Sequence, residues 1–304
     1  MLPKRLLALA LFAALAVLPA CVLRKVCIFA VFCALIPLLL SSCNRRNQEA
    51  EHEKYLDTVT AALNKDMADS IRILSLKLSN DSSNAEAYEG LIDNYLGLDS
   101  DDKAMAIFQR GVLHVPNDTA LYSRYAESLI ENDDASTADD VLRIGISKVP
   151  NSFKLEHLLG ECFEKEERYI DASHQYLSLL GEHPNNVELL LDVAGCCFSM
   201  KAWNQLGIYA GRALEIDSNS SVGHGYLAYY FEKEYTNDHS FDSSISSNYN
   251  AAIHDDSLNS WALLHRGLWY LEGGHVDQAW SDYRACKKID PDNADVLYYA
   301  LTKD

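Results

Sequence analysis

Residues 260–293 read SWALLHRGLWYLEGGHVDQAWSDYRACKKIDPDN, and two apolar stripes at helical spacing run through them. The first stripe ends before Gly274, and the second ends before Pro291. Apolar residues that recur every three or four positions predict amphipathic helices. Glycine is typical of the end of a helix, and proline disfavours helix at the residue before it. The stretch therefore predicts two helices joined by a short turn.

The same pattern recurs along the chain at a constant spacing. Pro116, Pro150 and Pro184 are evenly spaced and each is followed by Asn, and Pro291 follows after three further periods plus a five-residue excess. Small residues keep the same phase at two further repeat positions, one with Ala104, Ala138, Ala172 and Ala279, the other with Ala126, Gly160 and Gly267. One such unit cannot bury its apolar face alone, so the period predicts a stack of repeats.

These phased residues resemble the tetratricopeptide repeat (TPR), a helix–turn–helix unit, and the best match lies at Gly267, Tyr270, Gly274, Ala279, Tyr283 and Pro291. The resemblance implies an all-α protein, a TPR α-solenoid whose units form a right-handed superhelix after a cleaved N-terminal signal. The solenoid is expected over 53–304, with units at 85–118, 119–152, 153–186, 187–220, 221–259 and 260–293. A degenerate first unit at 53–84 and a closing helix at 294–301 are expected at its ends.

The unit at 221–259 carries the five extra residues. Its segment 235–247 reads YTNDHSFDSSISS, in which Ser, Asp and Asn dominate. This composition predicts an exposed loop that lengthens the turn between two helices. A tolerated surface insertion is favoured over a contact site, because surface loops absorb insertions readily.

The N-terminus contains two apolar runs, Leu6–Leu23 and Val26–Leu40, separated by Arg24-Lys25. The second run has the anatomy of a secretory signal. It ends in Leu40-Ser41-Ser42-Cys43, which resembles the lipobox of bacterial lipoproteins. The resemblance implies that residues 1–42 are removed, that Cys43 carries acyl chains such as palmitate, and that residues 43–52 form a lipidated tether.

Two alternatives stay open at the N-terminus. In the first alternative, the two apolar runs of 18 and 15 residues are membrane spans that are not cleaved, although a bilayer crossing needs about 20 residues. A translation start near Val22 or Leu23 would leave one conventional signal with 26–40 as its apolar core. Asn44 follows the cysteine instead of the Asp that, in the lipoprotein sorting rules, favours the inner membrane, so the outer membrane facing the periplasm is the expected location.

The composition excludes several classes of function. All 44 acidic residues lie beyond Cys43 together with 22 basic ones, so this part carries a net charge of about −22, which disfavours nucleic acid. His52-Glu53-Lys54-Tyr55-Leu56 lacks the second histidine of a zinc protease motif, and no metal or other cofactor is expected. Cys162, Cys196, Cys197 and Cys286 are predicted to be buried structural cysteines. No enzyme activity is expected.

The first helices of TPR units line a concave surface on which partner segments bind, so the resemblance implies a partner-binding groove. The candidates in the earlier units are acidic: Glu86, Glu89, Asp93, Glu127, Glu131, Glu161 and Glu164. The candidates in the later units are aromatic: Phe198, Tyr226, Tyr229 and Trp261. Such a groove favours a basic or amphipathic segment of a protein or peptide partner. The alternative interpretation is a solvated acidic face with tyrosines packed between repeats.

Two functions follow as hypotheses. The first is a non-catalytic, lipid-anchored adaptor or scaffold that binds protein partners in the bacterial cell envelope. The second is a ligand-capturing accessory lipoprotein of a nutrient or glycan uptake system, because aromatic rings stack on sugars. The exposure of Tyr226, Tyr229 and Trp261 tests both: exposed rings favour sugar stacking or peptide anchoring, and buried rings remove both.

Overall fold

The structure, a computed structural model, describes residues 45–236 and 238–303. The predicted signal at 1–42 and the predicted lipidation site Cys43 lie outside the described residues. The described part contains fourteen α-helices and one 3₁₀ turn, and no strand occurs in it. None of the described helices is both long and apolar enough to cross a bilayer.

The helices follow one another with short connections. The first seven are α1 (Arg45–Asn80), α2 (Ala85–Gly97), α3 (Asp101–His114), α4 (Thr119–Glu131), α5 (Ala135–Lys148), α6 (Phe153–Lys165) and α7 (Tyr169–Glu182). The others are α8 (Val187–Ser199), α9 (Trp203–Ile216), α10 (Ser221–Glu234), the 3₁₀ turn (His239–Phe241), α11 (Asp242–Asp255), α12 (Ser260–Glu272), α13 (Val276–Cys286) and α14 (Pro291–Thr302).

The chain divides into two compact units, unit 1 up to Leu158 and unit 2 from Leu159 onwards. In unit 1, α2 packs on α3, α4 packs on α5, and α2 packs on α4. In unit 2, α8 packs on α9, α10 on α11 and α12 on α13, and the first helices of successive repeats, α8, α10 and α12, also contact one another. Antiparallel pairs that stack on the next pair are the TPR arrangement, so the predicted TPR α-solenoid class is confirmed.

Helix starts are determined by a capping residue that recurs with the period. Asn84, Asp118, Asn186, Ser220 and Asn259 each precede the first helix of a repeat, and each side-chain oxygen accepts a hydrogen bond from the backbone N–H three residues later. The donor–acceptor distances lie between 2.8 and 3.1 Å. Such a cap satisfies an amide that has no partner inside the helix, so each repeat restarts its helix at the same position.

The small residues lie where neighbouring helices approach closely. A Cβ atom on Gly160 would lie 2.3 Å from the ring of Tyr176, and one on Gly267 would lie 2.5 Å from Leu297. A Cβ on Gly145 would lie 2.8 Å from the ring of Tyr122. Tyr122 and Tyr176 are fully buried, so the rings fill the space that the glycines leave.

The turn between the two helices of a repeat uses a left-handed residue at a fixed position. Asp99, Asp133, Glu167 and Lys201 are spaced by one repeat period each and have φ values of 51°, 61°, 58° and 58°. Gly274 takes this position in the repeat at 260–293, with φ of 75°. The glycine of the best-matching repeat thus occupies the place where the backbone requires it.

Two local predictions differ from the structure. The expected degenerate unit at 53–84 is one continuous helix, because α1 contains neither glycine nor proline that would make a turn. The expected loop at 235–247 is shorter, because α11 already begins at Asp242. The rings of Tyr235 and Phe241 stack with centroids 3.9 Å apart, which closes the inserted turn.

The four cysteines of the described part are structural, as the sequence predicts. Cys162, Cys196, Cys197 and Cys286 are all buried, and none of them forms a disulfide within the described residues. Burial raises the pKa of the Cys286 thiol to about 11, which keeps it protonated at neutral pH.

The closing helix expected at 294–301 corresponds to α14, which begins at Pro291, three residues before the expected start.

Candidate functional site

The predicted acids on α2 form an ion-pair network inside unit 1. Arg124 on α4 lies 3.0 Å from Glu89 and 2.7 Å from Asp93, measured from guanidinium nitrogen to carboxylate oxygen. Burial raises the pKa of both carboxyls, and the Arg124 guanidinium partly offsets this rise. These two acids therefore join neighbouring repeats, although the sequence predicted that they face a partner.

A second ion pair within unit 1 joins α4 to the first turn of α6. Lys154 on α6 pairs with Glu127 on α4, and both side chains remain partly exposed. Glu86 and Glu131 are exposed at the surface. Three of the five predicted groove acids of unit 1, Glu89, Asp93 and Glu127, thus have a basic partner from the following repeat.

Glu164 in unit 2 is half-buried and hydrogen-bonded to two buried residues of the core. The Tyr176 hydroxyl donates a hydrogen bond of 3.0 Å to one carboxylate oxygen, and the Cys196 thiol donates one of 3.4 Å to the other. Burial is the largest cause that raises the pKa of this carboxyl. Glu232, which has the same position two repeats later, is arranged similarly: it is buried and accepts a 2.8 Å hydrogen bond from the Tyr249 hydroxyl. Glu161 is half-buried.

Unit 2 contains a cavity of about 520 Å³ on the face formed by its first helices. Four carboxylates line it, those of Glu164, Glu188, Asp192 and Asp217. The described residues that line the cavity include no lysine, arginine or histidine. The wall of the cavity therefore carries negative charge and no positive charge of its own, and we call it the acidic cavity.

Beside the acidic cavity lies a group of six rings, Phe198, Trp203, Tyr226, Tyr229, Trp261 and His265, which we call the aromatic cluster. Phe198 is at its centre, with ring centroids 4.9 Å from Tyr229, 5.5 Å from Trp261 and 6.0 Å from Tyr226. Most of these pairs meet edge to face, the geometry that aromatic quadrupoles prefer. Tyr226 also lines the acidic cavity, so the cluster and the cavity share a wall.

The exposure of the aromatic cluster lies between the two expectations. Phe198, Tyr226, Tyr229 and Trp261 are all half-buried, and each ring contacts others of the cluster. Burial raises the pKa of Tyr226 to about 12 and lowers the pKa of His265 to about 4, so both groups are neutral near pH 7. The half-buried rings offer a neutral apolar surface to a partner.

Sequence reasoning missed several residues of this site. Glu188 occupies the same repeat position as Glu86, Lys154 and Trp261, and Asp192 the same position as Arg124, Tyr226 and His265, once the five-residue insertion is counted. The period that placed Tyr226 and Trp261 on the inner face therefore places Glu188, Asp192 and His265 there too. Trp203 and Asp217 had no such signal, because they lie at the ends of α9. Among the described residues, no three His, Cys, Asp or Glu side chains are placed so that together they could hold a metal ion.

Known structures share the fold at low sequence identity. The chain matches no family model, and no curated protein matches it. A tetratricopeptide repeat protein from Parabacteroides merdae is 11% identical, covers 84% of this chain and 98% of its own, and has a TM-score of 0.59. PilF of Pseudomonas aeruginosa is 16% identical, covers 72% of this chain and 98% of its own, and has a TM-score of 0.55.

A chain of the APC/C hetero-tetramer Cut9–Hcn1 is 12% identical, with a TM-score of 0.58 over 80% of this chain. The present chain spans about half of that protein, 48% of its length. At these identities the likeness establishes the TPR fold of the described part and nothing about its partners.

Proposed function

We propose that this protein is a non-catalytic TPR scaffold that binds a basic or amphipathic segment of a protein partner in the bacterial cell envelope. The observation that carries the proposal is the acidic cavity beside the aromatic cluster, which offers negative charge and apolar surface on one face of unit 2. Basic segments would be attracted by the charge, and apolar side chains would be held by the rings.

The charge of the whole chain supports the same kind of partner. The part beyond Cys43 carries about −22, so a basic segment meets an attractive field at a distance. This attraction raises the association rate more than the final affinity, and it weakens with salt.

The membrane anchor is the second part of the proposal and is supported by the sequence Leu40-Ser41-Ser42-Cys43. Acyl chains on Cys43 would hold the protein at the membrane, because each buried methylene contributes roughly 0.8 kcal/mol. Asn44 supports the outer membrane, facing the periplasm.

The anchor is tested by expression in a bacterium, with intact mass and membrane fractionation of the wild type beside Cys43→Ser. We expect the wild-type chain to begin at an acylated residue 43, and the variant to lose membrane association as its acylation is lost. A wild-type mass that retains residues before Cys43 contradicts the anchor and supports the uncleaved spans.

Partner binding is tested by photo-crosslinking in cells, with a photoreactive amino acid at Val222 on the rim of the acidic cavity. Leu113, which is exposed on α3 of unit 1, serves as the control position. We expect crosslinks to protein segments rich in Lys or Arg from position 222 and not from position 113. Equal crosslinking from both positions, or none from position 222, contradicts the scaffold function at this face.

A further inference from the structure

We propose that the acidic cavity and the aromatic cluster form one docking surface for a partner segment in which an arginine is next to an apolar residue. The arginine side chain would enter the acidic cavity, and the apolar side chain would lie on the aromatic cluster. This inference rests on the proposed function, and it adds the side chain that is recognised and the unit that recognises it.

The charge of the cavity wall selects a cation. Glu188 and Asp217 are exposed and make no ion pair among the described residues, while Glu164 accepts hydrogen bonds from a tyrosine and a cysteine. In unit 1 the arrangement is different, because the repeat positions of Asp192 and Glu188 hold Arg124 and Lys154. Unit 1 thus supplies its own cations, and the cavity of unit 2 favours one from a partner.

The space for the cation comes from Gly195. Asp93, Glu127 and Glu161 occupy its repeat position in the three preceding repeats, so a side chain is replaced there by hydrogen. A Cβ on Gly195 would lie 3.2 Å from the Tyr226 hydroxyl, at the wall of the cavity. The whole cavity has a volume of about 520 Å³ and is open to solvent, so a long side chain can enter it.

Arginine suits this site better than lysine. Its planar guanidinium has five donors, is weakly hydrated and can bind two carboxylates at once. The Tyr226 hydroxyl, which has no hydrogen-bond partner among the described residues, lies at the same wall and can accept a further donor. Several acceptors around one cavity match a group with several donors.

The apolar neighbour follows from the position of Tyr226. Its ring separates the cavity from Phe198 and Trp261, whose centroids lie 6.0 and 5.5 Å away. A residue next to the bound arginine would therefore reach the half-buried rings. Lys233 already lies over the Tyr229 ring, with its ammonium nitrogen 4.9 Å from the ring centroid, and it is paired with Glu232.

The test uses the full chain in detergent micelles and fluorescent dodecapeptides with a central arginine followed by each apolar residue in turn, in a Gly/Ser background. Matched peptides carry citrulline, which has the shape of arginine without its charge, or lysine. Fluorescence anisotropy measures the dissociation constants. We expect the best arginine peptide to bind at least tenfold more tightly than its citrulline counterpart and more tightly than the lysine peptide.

The double variant Glu188→Gln/Asp217→Asn and the blocking variant Gly195→Leu should lose this tenfold difference. The matched control Glu86→Gln/Glu131→Gln removes two exposed carboxylates from unit 1 and should keep it. Circular dichroism of each variant shows whether it is folded.

Arginine peptides that bind equally to the cavity variants and the control overturn the inference, as does equal binding of arginine and citrulline, or no binding of any peptide. Tighter binding of the lysine peptide overturns the choice of arginine. The crosslinking from position 222 stays independent of these results. Protein crosslinks without arginine-dependent peptide binding would refute this docking mode and leave the scaffold function standing.

Discussion

Units 1 and 2 have the same helical repeats but differ in how the acids on the faces of their first helices are paired. In unit 1, Arg124 and Lys154 pair with acids of the preceding repeat. In unit 2 the same repeat positions hold Asp192 and Glu188, which line the acidic cavity together with Gly195. Two cations that pair with acids of the preceding repeat are thus replaced by two acids, which favours a cation from outside. A repeat fold keeps its architecture while single positions decide what it binds.

The largest effect is expected from Gly160→Ala, which tests how firmly Glu164 is built into unit 2. The new methyl group would meet the Tyr176 ring at 2.3 Å, and this ring is fully buried with its hydroxyl held by Glu164. Overpacking of this kind costs about 3 kcal/mol of unfolding free energy. Urea unfolding followed by tryptophan fluorescence measures it, because all four tryptophans lie in unit 2.

Gly181→Ala is the matched control in the next helix, where nothing lies within 4 Å of the added methyl group. It should stabilise the protein by about 0.5–1 kcal/mol, since alanine favours helix over glycine. Equal effects of the two substitutions would mean that Tyr176 can move, and that Glu164 is not held in place.

The second-largest effect is expected from Arg124→Met, which leaves acids of unit 1 without their cation, as in the acidic cavity of unit 2. Glu89 and Asp93 lose their shared guanidinium, which should destabilise unit 1 by about 1–2 kcal/mol because both carboxylates stay partly buried. Hydrogen exchange of amides in α2 and α4 should speed up accordingly. The variant should also gain affinity for basic peptides.

Arg143→Met is the control for a lost arginine in unit 1. Arg143 pairs with Asp139 one turn earlier on the same helix, where an ion pair contributes about 0.5 kcal/mol. A peptide affinity unchanged by Arg124→Met would show that paired acids alone do not explain the difference between the units.

The pH dependence of Glu164→Gln is the third prediction. Burial raises the pKa of Glu164, so the folded state holds this proton more tightly than the unfolded state does. The stability that protonated Glu164 contributes to the folded state is fully present below pH 4.5, the ordinary pKa of a glutamate, and is lost as the pH rises through the raised pKa. The glutamine variant should therefore melt a few degrees above wild type at pH 7.5 and close to it at pH 4.

Glu89→Gln in unit 1 is the contrast for this experiment. Its carboxylate pairs with Arg124, so the neutral side chain loses an ion pair and should bring no gain at pH 7.5. A gain from both variants would show that burial outweighs pairing in unit 1 as well.

The smallest effect concerns the left-handed turn residues, which also differ between the units. Unit 1 has Asp99 and Asp133 at this position, and aspartate tolerates positive φ better than most residues. Unit 2 has Glu167 and Lys201. Lys201→Gly should stabilise the protein by about 0.5 kcal/mol and Asp133→Gly by less, as measured by urea unfolding. The reverse order would contradict the assignment of strain to the turn in unit 2.

Much of the fold was predictable because its determinants are local. Caps such as Asn84 and Asn259 act within one helical turn, and the small residues recur at fixed spacing, so the repeat period is visible in the letters alone. Two predictions differ from the structure for equally local reasons. A helix without a breaker continues through 53–80, and α11 begins inside a polar segment that looked like a loop.

The candidate site was predictable only in part. Four of its aromatic residues, Phe198, Tyr226, Tyr229 and Trp261, and also Glu164 were predicted from their repeat positions. Glu188, Asp192 and His265 share repeat positions with predicted residues or with their neighbours on the same face but were not recognised, and Trp203 had no such signal. The hydrogen bonds that make Glu164 part of the core, and the shared wall at Tyr226, depend on the direction of side chains from different helices. Spacing along one helix does not contain this information.

The sequence by itself determined the class of fold and the charge of the chain, because helix periodicity, caps and composition are properties of short segments or of the sum of residues. Only the tertiary structure decided which acids are neutralised and which surround a cavity. Arg124 meets Asp93 across 31 positions of sequence, and Gly195 opens space only because Tyr226 stands beside it. Such contacts form when repeats stack, and the same residue types then become either an internal ion pair or a surface for a partner.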